Sequence, residues 1–332
     1  MSATSNGLRT WISKLVTLAE ERQILASAVV LLAFVLVTGD WSLAGYIVMF
    51  GLFAIAYNFC LGRTGILTFG HAAFFGLGAY GYGLFVVHTG VGPWGAWIGV
   101  VLGVIMAAIG GLAIGALAVR LSGTYLALLT LAIAQAMWFV AFQARSWTGG
   151  DDGLLGIERP AVEIPGIYEV DLADPTMFFL FGLAILVLSM TALNHIQNSH
   201  FGRVLVAIRE NENRAKYLGY DTYRYKLGSF VVSAGFSGLA GVLYPILLSI
   251  VSLQTLHWLL SGEVNFWVIL GGLNTFAGPI LGTGVYLTLR DAATQLTDSW
   301  KIPVGLLIIL IVLYAPEGIL LKIKEKLPGA EQ

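Results

Sequence analysis

Between Thr64 and Val119 the chain carries no charged residue. A soluble core does not absorb an apolar run of that length, and at about 20 residues per crossing the run holds two membrane spans. Further uncharged runs cover 23–39, 41–62, 121–144, 175–202, 227–262, 264–289 and 302–316. Only 11% of residues are charged, against about 25% in an ordinary soluble domain. A water-facing surface cannot be built from that stock. The single cysteine, Cys60, lies inside an apolar run, so neither an intramolecular disulfide nor a cysteine metal cluster is available. The first apolar run follows a long polar stretch and is succeeded by more spans, so it reads as a retained span rather than a cleaved signal peptide.

The few charges set the orientation. Arg9, Lys14 and Arg22 precede the first span, six basic residues lie between Arg203 and Lys226, and Lys322, Lys324 and Lys326 close the chain. The loop from Arg145 to Asp174 holds seven acids and two arginines. Lysine and arginine favour the cytoplasmic side, so the three basic segments are placed inside and the acidic loop outside. Spans over 24–37, 43–61, 66–87, 94–119, 125–142, 177–193, 228–250 and 302–320, with shorter pieces at 256–270 and 279–289, make ten elements and satisfy that parity. Arg63 and Arg120 then fall at inner boundaries, while Trp41, Trp94, Trp147 and Trp300 fall near outer ones, where indole rings anchor.

The expected fold class is therefore an all-α polytopic membrane protein, with about ten transmembrane or re-entrant helices and both termini cytoplasmic. It forms one transmembrane domain over 1–332. A cytoplasmic N-terminal segment covers 1–22, a periplasmic loop 144–175, a cytoplasmic loop 194–227 and a cytoplasmic tail 321–332.

Two features stand out within this frame. Gly65, Leu67, Gly76, Gly78 and Tyr80 recur 206 positions later as Gly271, Leu273, Gly282, Gly284 and Tyr286, an echo of the kind left by duplicated transporter halves. The short glycine- and proline-rich pieces around 271–279 read as broken or re-entrant helices. The second feature is the charged loop FGRVLVAIRENENRAKYLGYDTYRYKL from Phe201. Ala207, Ile208, Ala215 and Leu218 give it an apolar face at helical spacing, Arg209, Glu210, Glu212, Arg214 and Lys216 point elsewhere, and Gly219 ends the helix ahead of a second short one.

The loop, together with GRTGILTFGHAAFFGLGAY from Gly62, GTYLALLTLAIAQ from Gly123, TGGDDGLLGI from Thr148 and VILGGLNTFAGPILG from Val268, resembles the LivM-like permeases of branched-chain amino-acid ABC importers. The order and spacing of these segments also match. The resemblance implies a non-catalytic permease subunit of the bacterial cell inner membrane that moves branched-chain or other neutral amino acids by alternating access. It implies a homologous LivH-like permease, two cytoplasmic ATPase subunits and a periplasmic solute-binding protein as partners. On that reading Arg209, Glu210, Glu212, Arg214, Ala215, Leu218 and Gly219 form the ATPase-coupling loop. ATP and Mg belong to the partner subunits, since the chain has no phosphate-binding GxxxxGK[ST] motif.

Thr68, Phe69, His71 and Asn274 are the candidate translocation-path residues, and for His71 a hydrogen bond to a neighbouring helix is the favoured role. Glu263 is placed near an outer entrance. Asp151 and Asp152 read as a solvated turn. No catalytic residue, metal-ligand set or cofactor of the chain's own is expected, and the sparse basic residues follow topology rather than forming a nucleic-acid face. Membrane lipid is the expected surroundings. The alternatives are a urea or short-amide permease of the same family and an ion-coupled secondary transporter, which would need coupling-ion ligands in its spans.

Overall fold

A computed structural model describes residues 23–89, 94–157, 161–164, 167–297, 299–314 and Gly318. In chain order the helices are α1 (Gln23–Thr38), α2 (Trp41–Thr64), α3 (His71–Thr89), α4 (Gly95–Ala118), α5 (Gly123–Gln143) and the single turn α6 (Arg145–Thr148). After the loop come α7 (Pro175–Asn198), α8 (His200–Glu210), α9 (Glu212–Tyr217), α10 (Thr222–Leu248), α11 (Trp258–Gly271), α12 (Gly278–Leu296) and α13 (Lys301–Tyr314). Six of them, α2, α3, α4, α5, α7 and α10, are long and apolar enough to cross a membrane. The remaining four of the ten elements expected from sequence, α1, α11, α12 and α13, fall outside that set. The segment 1–22 with Arg9, Lys14 and Arg22, the tail 321–332 with Lys322, Lys324 and Lys326, and most of the far end of the expected span 302–320 lie outside the described residues.

The loop 144–174 departs from the all-helical expectation. Strands β1 (Ala161–Ile164) and β2 (Ile167–Asp171) pair antiparallel, with Ala161 opposite Asp171 and Val162 opposite Val170. Within these strands VEI and YEVD alternate apolar or aromatic with acidic residues, a period of two that suits a strand and not a helix.

Helix ends follow local chemistry. The Asp40 carboxylate accepts the Leu43 N–H at 2.8 Å to open α2, and Asp174 with Pro175 opens α7. At the far end of α2, Gly65 takes φ +73° and its N–H returns to the carbonyls of Cys60 and Leu61, the left-handed closure that glycine supplies without strain.

The apolar window of α2 is 89% buried, against 28% for α4 and for α5, so α2 is the central helix and the other two are peripheral. Helix α10 packs against α2, α3 and α4. The outward faces of α4 and α5 expose Val101, Ile105 and Ile109 and Leu128, Phe139 and Val140, the hydrocarbon surface that lipid accepts. Inside lie Trp267, Tyr57, Tyr82, Phe53, Phe74, Phe75, Phe178, Phe179 and Phe230, all fully buried.

Small residues set the α3–α10 distance. A Cβ on Gly241 would sit 1.9 Å from the Phe75 carbonyl oxygen, with backbone rather than a movable side chain in the way. Gly241→Val is expected to cost at least about 1–3 kcal/mol, as overpacking does. The readout is a lowered thermal midpoint of the detergent-solubilised chain. Gly284→Val, where the added carbon meets only Ile47 at 3.7 Å, serves as the control and leaves the midpoint near that of the parent.

The echo has a structural counterpart in a shifted register. Helix α2 ends at Thr64 and α3 begins at His71; α11 ends at Gly271 and α12 begins at Gly278, each boundary 207 positions later. The two breaks read GILTFG and GLNTFA, and Gly272 takes φ +106° where Gly65 takes +73°. The 206 register therefore matches the glycines within α3 and α12, and 207 matches the breaks. Helices α11 and α12 pack on each other, whereas α10 packs against both α2 and α3.

Candidate functional site

Both breaks converge on α8. The Arg209 guanidinium donates through Nη1 to the Gly62 carbonyl at the end of α2 and through Nη2 to Asn274 Oδ1 at 3.0 Å in the second break. Asn58 Nδ2 donates to the Thr275 carbonyl at 3.1 Å, joining α2 to the second break directly. Arg63 Nε donates to Gln197 Oε1 at 3.0 Å, which adds the end of α7. A cavity of about 100 Å³ remains among Asn58, Gly62, Arg63, Gln197, Arg209 and Asn274. One charged side chain thus ties the amphipathic helix to the end of α2 and to the second break.

The first break is held from several sides. Ser233 Oγ donates to the Ala56 carbonyl at 2.6 Å, so its oxygen accepts from His71 Nε2 at 2.7 Å. In the neutral imidazole this is the Nε2–H tautomer, with His71 Nδ1 accepting from Thr68 Oγ1 at 2.5 Å. The Phe69 N–H donates to Thr130 Oγ1 at 3.2 Å and the Ala72 N–H to Ser261 Oγ at 2.8 Å. Tyr57 OH donates to Asn265 Oδ1 at 2.5 Å. Of the candidate path residues, Thr68 and His71 are fully buried in this brace, Phe69 is partly buried, and Asn274 is exposed beside the cavity. His71 thus contacts Ser233 of α10 and Thr68 of the first break.

Sequence reasoning missed Tyr57, Asn58, Ser233 and Asn265. A signal for one of them was present: Ser229, Ser233 and Ser237 recur every fourth residue and form one buried face of α10.

The charged loop corrects the sequence reading in two ways. Asn211, with φ −160°, interrupts the helix and caps α9 by accepting the Arg214 N–H at 2.9 Å. The buried apolar side chains of α8 and α9 are Val204, Leu205, Ile208 and Ala215. Ala207 and Leu218, expected inside, are exposed. Gly219, at φ +90°, follows α9 as expected, but it leads into the long α10 through an Asp221 cap rather than into a second short helix.

Glu212 binds Lys216 at 2.9 Å and Lys226 at 3.1 Å. Only 8% of the Lys226 side chain is exposed, so this pair fastens α9 to α10 in a largely dry position. Burial alone pushes the Glu212 carboxyl up, but the two ammonium groups outweigh it and hold it below the usual carboxylate range. The fastening is therefore present above the ordinary carboxylate pKa and lost as pH falls through the lowered one. Beyond it, Tyr217 and Leu218 project into solvent, 91% and 71% exposed. Glu210 and Arg214 are also exposed. At the other end of the bundle, Asp151 and Asp152 sit exposed in a 3-10 turn.

Span-length apolar helices, lipid-type outer faces and paired helix breaks define a multi-pass membrane protein of the transporter class. The chain belongs to the family described as branched-chain amino acid transport system / permease component, which matches residues 41–315. It is 27% identical over 323 residues to the high-affinity branched-chain amino acid transport system permease protein LivM of Escherichia coli strain K12, covering 90% of this chain and 75% of that one. It is likewise 27% identical over 252 residues to a probable branched-chain amino acid transport permease protein LivM of Methanocaldococcus jannaschii, over 66% and 68% of the two chains. The permease protein LivH of Salmonella typhimurium is 26% identical over 82% of this chain and 91% of its own. No solved structure matches.

Proposed function

We propose that this chain is one permease half of an ATP-driven importer for branched-chain or other neutral amino acids. It pairs with a LivH-like permease and receives solute from a periplasmic binding protein. Two cytoplasmic ATPase subunits engage the permease pair, and on this chain the contact is α8–α9. In the inner membrane both termini and α8–α9 face the cytoplasm, and the hairpin loop faces the periplasm. All ten apolar elements cross or enter the bilayer.

The observation that carries this reading is the Arg209 bridge from α8 to Gly62 and Asn274. Helix α9 presents exposed Tyr217 and Leu218 to a partner and is fastened to α10 through Glu212 and Lys226. A push on α9 then travels through α8 and Arg209 to both breaks as one body, opening the path to one face at a time. Relatives named for branched-chain amino acid transport support the substrate class.

The test is ATP hydrolysis by the reconstituted assembly, with the binding protein and a panel of leucine, other neutral amino acids, urea and short amides. Stimulation by leucine and its neighbours is expected. Stimulation by urea or amides alone would replace the substrate, and transport without any associated ATPase would point to a secondary transporter.

A further inference from the structure

At the end of the bundle opposite α8–α9, a cavity of about 600 Å³ opens between the start of α2, the end of α10, the start of α11, the end of α12 and the start of α13. Its size falls within the roughly 300–1,000 Å³ of small-molecule sites. Four charged side chains line it, Glu263, Arg290, Asp291 and Lys301, two of each sign. Tyr46, Phe50, Tyr244 and Trp300 supply aromatic walls.

Glu263 is the sole charged residue between Lys226 and Arg290. It stands five residues into α11, roughly 7.5 Å along the axis at 1.5 Å per residue. An acid placed inside an apolar helix is a costly choice that marks function. Glu263 is partly buried and feels the positive charge of Arg290 and Lys301. Yet the ion pairs found among the described residues leave it out. Arg290 is held instead with its guanidinium carbon 5.0 Å from the centre of the Trp300 ring, and the Lys301 ammonium lies 5.9 Å from the same ring. Asp291 accepts from Gln295 at 3.1 Å.

Acid and base thus face a shared space without meeting. A lone anion or cation gains little from a lining with equal numbers of each sign. A molecule that carries both charges a few bonds apart, with an apolar remainder, fits it. We propose that this vestibule is an entry site for a zwitterionic amino acid, with Glu263 receiving the ammonium, Arg290 the carboxylate, and Tyr46, Phe50 and Tyr244 the side chain. The proposal rests on the amino-acid-import reading and adds the residues of first contact.

Thiol protection tests it in the assembled transporter. Thr294 is exposed on the cavity wall, while the native Cys60 is buried. Thr294→Cys is labelled from outside with a charged, membrane-impermeant methanethiosulfonate. Leucine is expected to slow labelling, and 4-methylpentanoate and 3-methylbutylamine, each lacking one charge, are expected to protect about tenfold less well, the effect of one charge-assisted hydrogen bond. Adding Glu263→Gln should weaken leucine protection by a similar factor while leaving protection by 4-methylpentanoate unchanged.

Equal protection by all three compounds, or leucine protection untouched by Glu263→Gln, would overturn the assignment of poles. Leucine-stimulated ATP hydrolysis with no protection by leucine would overturn the vestibule and leave the importer reading intact. Protection in an assembly whose ATP hydrolysis ignores leucine would support the vestibule and contradict the importer reading instead.

Discussion

Replacing Arg209 with alanine is expected to lower amino-acid uptake about hundredfold, while ATP hydrolysis by the assembled transporter stays near the parent level. Arg209 donates to the Gly62 carbonyl and to Asn274 Oδ1, so its loss removes two charge-assisted hydrogen bonds between α8 and the breaks. At about 1.5–3 kcal/mol each, the pair amounts to roughly 3 kcal/mol or more, and each 1.4 kcal/mol is tenfold. The docking surface proposed at Tyr217 and Leu218 is untouched by the change, so on that proposal the ATPases still bind and turn over. Arg209→Lys keeps the charge but presents a single ammonium in place of a planar fork, and falls between the parent and the alanine variant. Uptake and ATP hydrolysis measured on one proteoliposome preparation separate loss of coupling from loss of assembly. Unchanged uptake in Arg209→Ala would remove the bridge from the mechanism.

Glu212→Lys has the second large effect, and it acts one step earlier. Lys226 is 8% exposed and its carboxylate partner is Glu212, so the substitution leaves a buried ammonium unpaired and adds a like charge beside it. Breaking a buried pair from one side costs about 3–5 kcal/mol, and with the Glu212 side chain 31% exposed this half-buried pair falls at or below the lower end of that range. That is enough to release α9 from α10. Co-purification of the ATPase subunits should fall with it, while insertion of the span-length helices persists. Lys226→Met in the same chain removes the stranded charge and should restore a large part of the association. Glu212→Lys that binds the ATPases normally would show that α9 docks without this fastening.

The sequence exposed the membrane class because charge is so costly in hydrocarbon that its absence from 64–119 admits one solvent. The repeated break was visible as an echo, but glycines within the helices pulled the match to a spacing of 206 while the turn itself sits at 207. A fixed offset cannot represent that one-residue difference.

The face of the charged loop was misread at Ala207 and Leu218. Helical spacing puts Ala207 and Leu218 beside Ile208 and Ala215, but Ala207 turns outward on α8, and α9 stops at Tyr217, which leaves Leu218 exposed just past its end. Arg209 was placed in the loop, but its bond to Asn274 spans 65 positions. A contact of that range is a property of packing, which hydropathy does not encode. The brace around His71 is similar: its partner Ser233 lies 162 residues away, and a serine in an apolar helix reads as tolerable until its neighbour is known. The vestibule was hinted at by a lone glutamate and needed five segments to be brought together.

The bridge can be replaced covalently, and that measurement bears most directly on whether α8 and the first break move as one body. A Cβ at Gly65 would lie 3.8 Å from the Arg209 Cβ, the ~3.8 Å mean separation in disulfides. In Gly65→Cys/Arg209→Cys, with Gly65→Cys as the control, uptake should be as low as in Arg209→Ala when reduced, and oxidation should restore it by about tenfold or more. Oxidised protein that hydrolyses ATP but stays silent in uptake would mean that α8 slides against the break during transport, contrary to this account.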